Sequence, residues 1–180
     1  MRLDRETSRA LWRAARTPLD LCRLGARFMA GEITHFPGWV APELDEESDE
    51  IRAQLLRLCE LGLLTLASQP ARPDQRAFVA GFAFGATAAK LKTCSSELDV
   101  RLFGHSECST IQEPISRADG RFHAFAGHDA RREELECFED DVSPALMRAL
   151  ECAVYVSAFD PVWDRRELLW SELLRALSQA

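Results

Sequence analysis

The chain has 180 residues, 47% of them apolar and 28% charged, with a formal net charge of −7. That length and apolar content suit one domain with its own core and exclude a disordered chain. The acidic balance argues against nucleic-acid binding, which relies on Lys and Arg neutralising phosphates, and against an anionic membrane surface.

No stretch approaches the roughly 20 apolar residues of a membrane-spanning helix. The first 16 residues are charged and lack the apolar segment of a signal peptide, so a cytoplasmic protein is expected. Just two of the 22 basic residues are lysines, Lys90 and Lys92, a bias that fits a GC-rich genome better than a binding site. The six cysteines are widely and irregularly spaced with no Cys-Xaa-Xaa-Cys pair. They read as reduced thiols rather than as disulfides or a zinc site. No metal or cofactor is implied.

In chain order, a first helix is expected over 5–16, with Leu11, Trp12 and Ala15 on one face. Thr17 and Pro18 restart the chain as N-cap and first helical residue, and Asp20 complements the positive helix end. That second helix carries Leu21, Leu24 and Phe28 at helical spacing and stops at Gly31. Residues 32–44 read as a loop, because Pro37-Gly38 and Pro42 break regular structure. Trp39 there reads as core or lid packing. The acidic run 45–50 reads as helix initiation before Ile51, Leu55 and Leu58.

After Gly62 the period changes. Strands are expected over 63–67, 77–84 and 99–104, with a helix over 86–94. Residues 110–115 and 121–126 can pair as a hairpin across Ala118-Asp119-Gly120. Helices over 131–138 and 144–151 follow, the second capped by Ser143. Residues 152–159 form the clearest strand, ended by Asp160-Pro161. A final helix is expected from about Asp164, with Asp164 and Glu167 approximating a capping box and Leu169, Leu173 and Leu177 on one stripe. The order predicts an α/β fold in one domain over 1–180. A helical N-terminal layer (1–61) precedes an α/β part (62–180) with a mixed sheet of about five or six strands.

The segments around Trp12 to Trp39, Leu61 to Phe82 and Phe159 to Trp170 resemble a family of small, mostly actinobacterial proteins classed as a domain of unknown function. The resemblance rests on Trp12 with Ala15, Gly31, Thr65, Ser68-Gln69-Pro70, Gln75-Arg76-Ala77, Gly81-Phe82, Asp160-Pro161, Trp163 and Arg165. Ala71 and Asp164 stand where the family pattern has Gly, which narrows the backbone conformations open to those turns. The resemblance implies a single bacterial, cytoplasmic domain and names no substrate.

Ligands of open α/β sheets bind beyond the carboxyl ends of strands. Ser68 and Gln69 follow the first strand, His105 the third and Asp160 the last. If those strands run parallel, the four residues converge, Arg76 reaches the same mouth, and Trp163 forms an apolar wall. This predicts a ligand-binding pocket of Ser68, Gln69, Arg76, His105, Asp160 and Trp163, set against ordinary turn chemistry by the same residues. His105-Ser106-Glu107-Cys108 offers a thiol beside an imidazole, but lacks the cysteine pair of a zinc deaminase. His123, His128 and the carboxylates behind them fit no metal signature, and 139–141 reads as a solvent-facing acidic turn.

Two functions fit. One is a small-molecule-binding domain or enzyme using the strand-end pocket. The other is a non-catalytic protein-interaction or regulatory module whose acidic surface meets a basic partner.

Overall fold

The N-terminal helices form because their starts carry their own caps. The computed structural model describes residues 2–104 and 109–179. Asp4 accepts from Thr7 N at 2.8 Å and opens α1 (Arg5–Ala14). Thr17 and Asp20 form a reciprocal capping box, with Pro18 in first position, at the start of α2 (Pro18–Met29). The chain leaves α2 through Gly31, whose φ of +72° glycine adopts without strain. The acidic run does initiate a helix, with Asp45 accepting from Ser48 N at 2.6 Å. That helix is a single turn, α3 (Glu46–Asp49), and a separate α4 (Arg52–Glu60) follows it.

The rest alternates strands and helices: β1 (Leu63–Gln69), β2 (Phe78–Ala83), α5 (Ala86–Leu91), β3 (Asp99–Phe103), β4 (Glu113–Ala118), β5 (Arg121–Ala126), α6 (Arg131–Glu136), α7 (Pro144–Glu151), β6 (Val154–Phe159) and α8 (Leu168–Ser178). The expected α/β fold with a helical N-terminal layer is present, and its six strands fall in two sheets. The larger has the order β1-β2-β6-β3, the smaller is the β4-β5 hairpin, and every pairing is antiparallel. Asp119 and Gly120 turn the hairpin with positive φ, as a tight two-residue turn requires. No helix among the described residues is long and apolar enough to cross a membrane.

The last helix starts later than its sequence suggests. Asp164 has φ +59°, so it cannot take the extended conformation of an N-cap, and the capping box with Glu167 does not form. Asp160 and Arg165 hold the chain in a turn through these positions, and helical structure begins at Leu168.

A chain of aromatic rings carries the core from the helices into the sheet. It runs Phe28–Phe36–Trp12–Phe138–Phe82–Tyr155–Phe103, with centroids 5.1 to 6.4 Å apart. Trp12 is fully buried, and its indole N–H donates to His35 O at 2.9 Å. Gly81 permits the close approach of β1 and β2, since a Cβ there would lie 2.1 Å from Leu64 O. Asp141 corrects the reading of 139–141 as solvent-facing. It is buried, accepts from Arg9, and lies 2.7 Å from His35 Nε2. Cys22, Cys59, Cys94, Cys137 and Cys152 are free thiols.

Two outcomes are expected. Asp164→Gly should raise stability by about 1 kcal/mol in a urea titration, because glycine adopts the left-handed conformation without the Cβ clash. Burial pushes the Cys22 thiol from its ordinary 9.0 up to about 12. Between those values the unfolded chain ionises this thiol while the folded chain does not, so stability should fall as pH rises above 9. A Cys22→Ala variant, compared over the same pH range, should lose less.

Candidate functional site

Antiparallel pairing decides which chain ends meet. Gln69, Phe78, Phe159 and Asp99 share one row across the sheet. The segments after β1 and β6 therefore leave at the same edge. β3 enters at that edge and exits at the other, where Phe103 pairs with Tyr155. Convergence by parallel strands is thus not what gathers the site. Gln69, Arg76, Asp160 and Trp163 come to one edge, β3 leads away from it, and His105 lies outside the described residues, as does Cys108.

Two side chains build this edge. Gln69 is nearly buried, and its amide Nε2 donates to Arg76 O and to Ile115 O, both at 2.8 Å. It closes the loop 70–76 and ties it to the hairpin. Arg76 N donates to Ile115 O at 2.8 Å, and Arg117 N donates to Asp74 O at 2.9 Å. Asp160 is 0% exposed. Its Oδ1 accepts from Val162 N at 2.9 Å and Arg165 Nη2 at 2.8 Å, and its Oδ2 from Arg165 Nε at 2.6 Å. Arg165 also donates to Glu97 Oε2 at 2.8 Å. A buried carboxylate needs such a partner, because desolvating it alone is costly.

Ser68 faces elsewhere. Its hydroxyl lies 3.3 Å from Ser48 Oγ, and it borders a small apolar pocket of about 130 Å³ with Phe28, Phe36 and Trp39. Trp163 stacks parallel to Phe122 at 6.5 Å, and the guanidinium of Arg76 lies 4.6 Å from its ring centre.

The open space at this edge is the neighbouring cleft. It lies between the loop 70–74, the α3–α4 junction and the start of α8, and measures about 470 Å³. Glu50, Gln54, Arg72, Arg166, Glu167 and Trp170 line it. Arg72 pairs with Glu50, and Arg166 with Asp164 at 3.4 Å. Trp170 is 2% exposed, and its indole Nε1–H has no hydrogen-bond partner. Sequence reasoning missed these residues. Arg72 and Arg166 each follow one of the two motifs, and that adjacency was the available signal. Among the described residues no group of three His, Cys, Asp or Glu is placed to hold a metal ion.

A family model described as a domain of unknown function (DUF6919) matches residues 7–180. The chain belongs to this family. No curated protein matches it. The match spans the helical layer and the α/β part together, so both elements of the cleft, the α3–α4 junction and the two motif loops, fall within the family domain.

Removing Arg165 should cost about 3 kcal/mol, because it leaves the fully buried Asp160 carboxylate without its cation, whereas removing Asp160 leaves Arg165 paired with Glu97 and should cost less. In chemical denaturation, Arg165→Ala should be the less stable of Arg165→Ala and Asp160→Ala. The double variant should be much less unstable than the two effects added. Additive losses would show that the pair does not act as a unit.

Proposed function

We propose that this protein is a small-molecule-binding domain whose ligand occupies the cleft between the loop 70–74 and the start of α8. The observation that carries this reading is the cleft itself, lined by charged side chains from three separate segments. Its volume falls within the roughly 300 to 1,000 Å³ typical of ligand sites. Both signs of charge line the cleft, Arg72 and Arg166 facing Glu50, Asp74 and Glu167. That lining suits a polar or zwitterionic molecule, such as an amino-acid-like compound, over an apolar one. Gln69 and Asp160 serve by holding the two loops, and Arg76 and Trp163 sit on the far side of the same turn. The bacterial and cytoplasmic setting implied by the sequence motifs belongs to this proposal.

Thermal-shift titration against amino acids, dicarboxylates and nucleotides tests the reading. A true ligand at about 100 times its dissociation constant should stabilise the fold by about 2.7 kcal/mol. Arg166→Ala should abolish that shift with little change in the melting point of the free protein. Failure of every polar class to shift the melting point would remove the proposal.

A further inference from the structure

Outside the cleft, on the hairpin side of the loop 70–76, two guanidiniums converge on one indole. Arg76 and Arg117 each lie with the guanidinium carbon 4.6 Å from the Trp163 ring centre. At most twice that distance separates them. Arg76 Nη1 donates to Pro114 O at 2.8 Å, and Arg117 Nη2 donates to Pro73 O at 3.2 Å. Both acceptors are neutral carbonyls. Neither arginine forms an ion pair among the described residues, whereas Arg72, Arg101 and Arg165 nearby each pair with a carboxylate. Arg76 Nε is in addition a buried donor without an acceptor. Of the arginines without an ion pair among the described residues, these two lie over one aromatic ring.

Like charges held this close repel, and the indole face offsets part of that cost. A carboxylate would be the usual remedy, and none among the described residues pairs with either arginine. We propose that the Arg76–Arg117 pair on Trp163 is a binding site for the dianion of a phosphate monoester. Two guanidiniums match two negative charges, and their planar N–H forks suit the oxygens of phosphate. Phe122 specifies the ester. The residue is 55% exposed, and its ring is stacked against Trp163 with 13° between the planes. It therefore offers an aromatic face beside the two cations, on which a flat organic group can lie.

Isothermal titration of the full chain at low ionic strength, with inorganic phosphate and then phenyl phosphate, tests this. Both should bind saturably, and phenyl phosphate more tightly. Arg117 is exposed, so Arg117→Gln should stay folded yet weaken both by about tenfold or more, as loss of a charged hydrogen bond requires. Arg148→Gln, which removes an arginine of α7 that forms no ion pair among the described residues, should bind as the parent does. Arg166→Ala should also keep phosphate binding, which separates this site from the cleft. Absence of saturable binding, or equal binding by Arg117→Gln and the parent, would overturn the site. Equal affinity for the two probes would overturn the assignment to an ester.

Discussion

One buried carboxylate organises this molecule's functional edge. Asp160 ends β6 with no exposure to solvent, and a carboxylate there is tolerable because Arg165 meets it with two N–H groups and Val162 N with a third. That arrangement coils residues 160–165 into a turn. The turn places Trp163 against the hairpin and delays α8 until Leu168. The delay leaves Arg166 and Glu167 at the mouth of the cleft rather than inside a helical turn. Both proposed sites thus inherit their geometry from one ion pair.

Gln69 has the matching role on the neighbouring loop. A single amide bridges Arg76 O and Ile115 O, and with the backbone bonds Arg76 N to Ile115 O and Arg117 N to Asp74 O it ties the loop 70–76 to the hairpin. The hairpin needs this anchor because its own contribution to the core is small. Ile115 and Ala126 meet Phe78 and Phe159, while Phe122 and Phe125 remain largely exposed. A two-stranded hairpin is marginal without such support. The loop then has two working sides, Arg72 toward the cleft and Arg76 toward Trp163.

The helical layer packs against the opposite end of the same strands. Its aromatic rings continue through Phe138 into Phe82 and Tyr155, so α1 and α2 brace the central strands β2 and β6. Asp141 adds a polar tie, joining the loop before α7 to His35 and to Arg9 of α1.

Local patterns determined most of the elements. Thr17-Pro18, Ser143-Pro144 and Asp119-Gly120 declare helix starts and a turn through chemistry within a few residues, and each forms as its pattern requires. The strands around Leu64, Phe82 and Val156 are equally legible from apolar runs between turns. The sequence also singled out Gln69, Arg76, Asp160 and Trp163 as belonging to one region. What it could not specify is how their side chains are occupied. Gln69 and Asp160 bond to partners remote in sequence or across a turn, and Ser68 lies on a different surface. Strand direction was also beyond it, since an apolar run is the same in a parallel or an antiparallel sheet. Antiparallel pairing put the exit of β3 at the opposite edge from Asp160 and left Arg72, Arg166 and Trp170 around the open cleft. Hydrogen-bond partners and open space are properties of chain segments meeting in three dimensions, so the tertiary structure alone decided them.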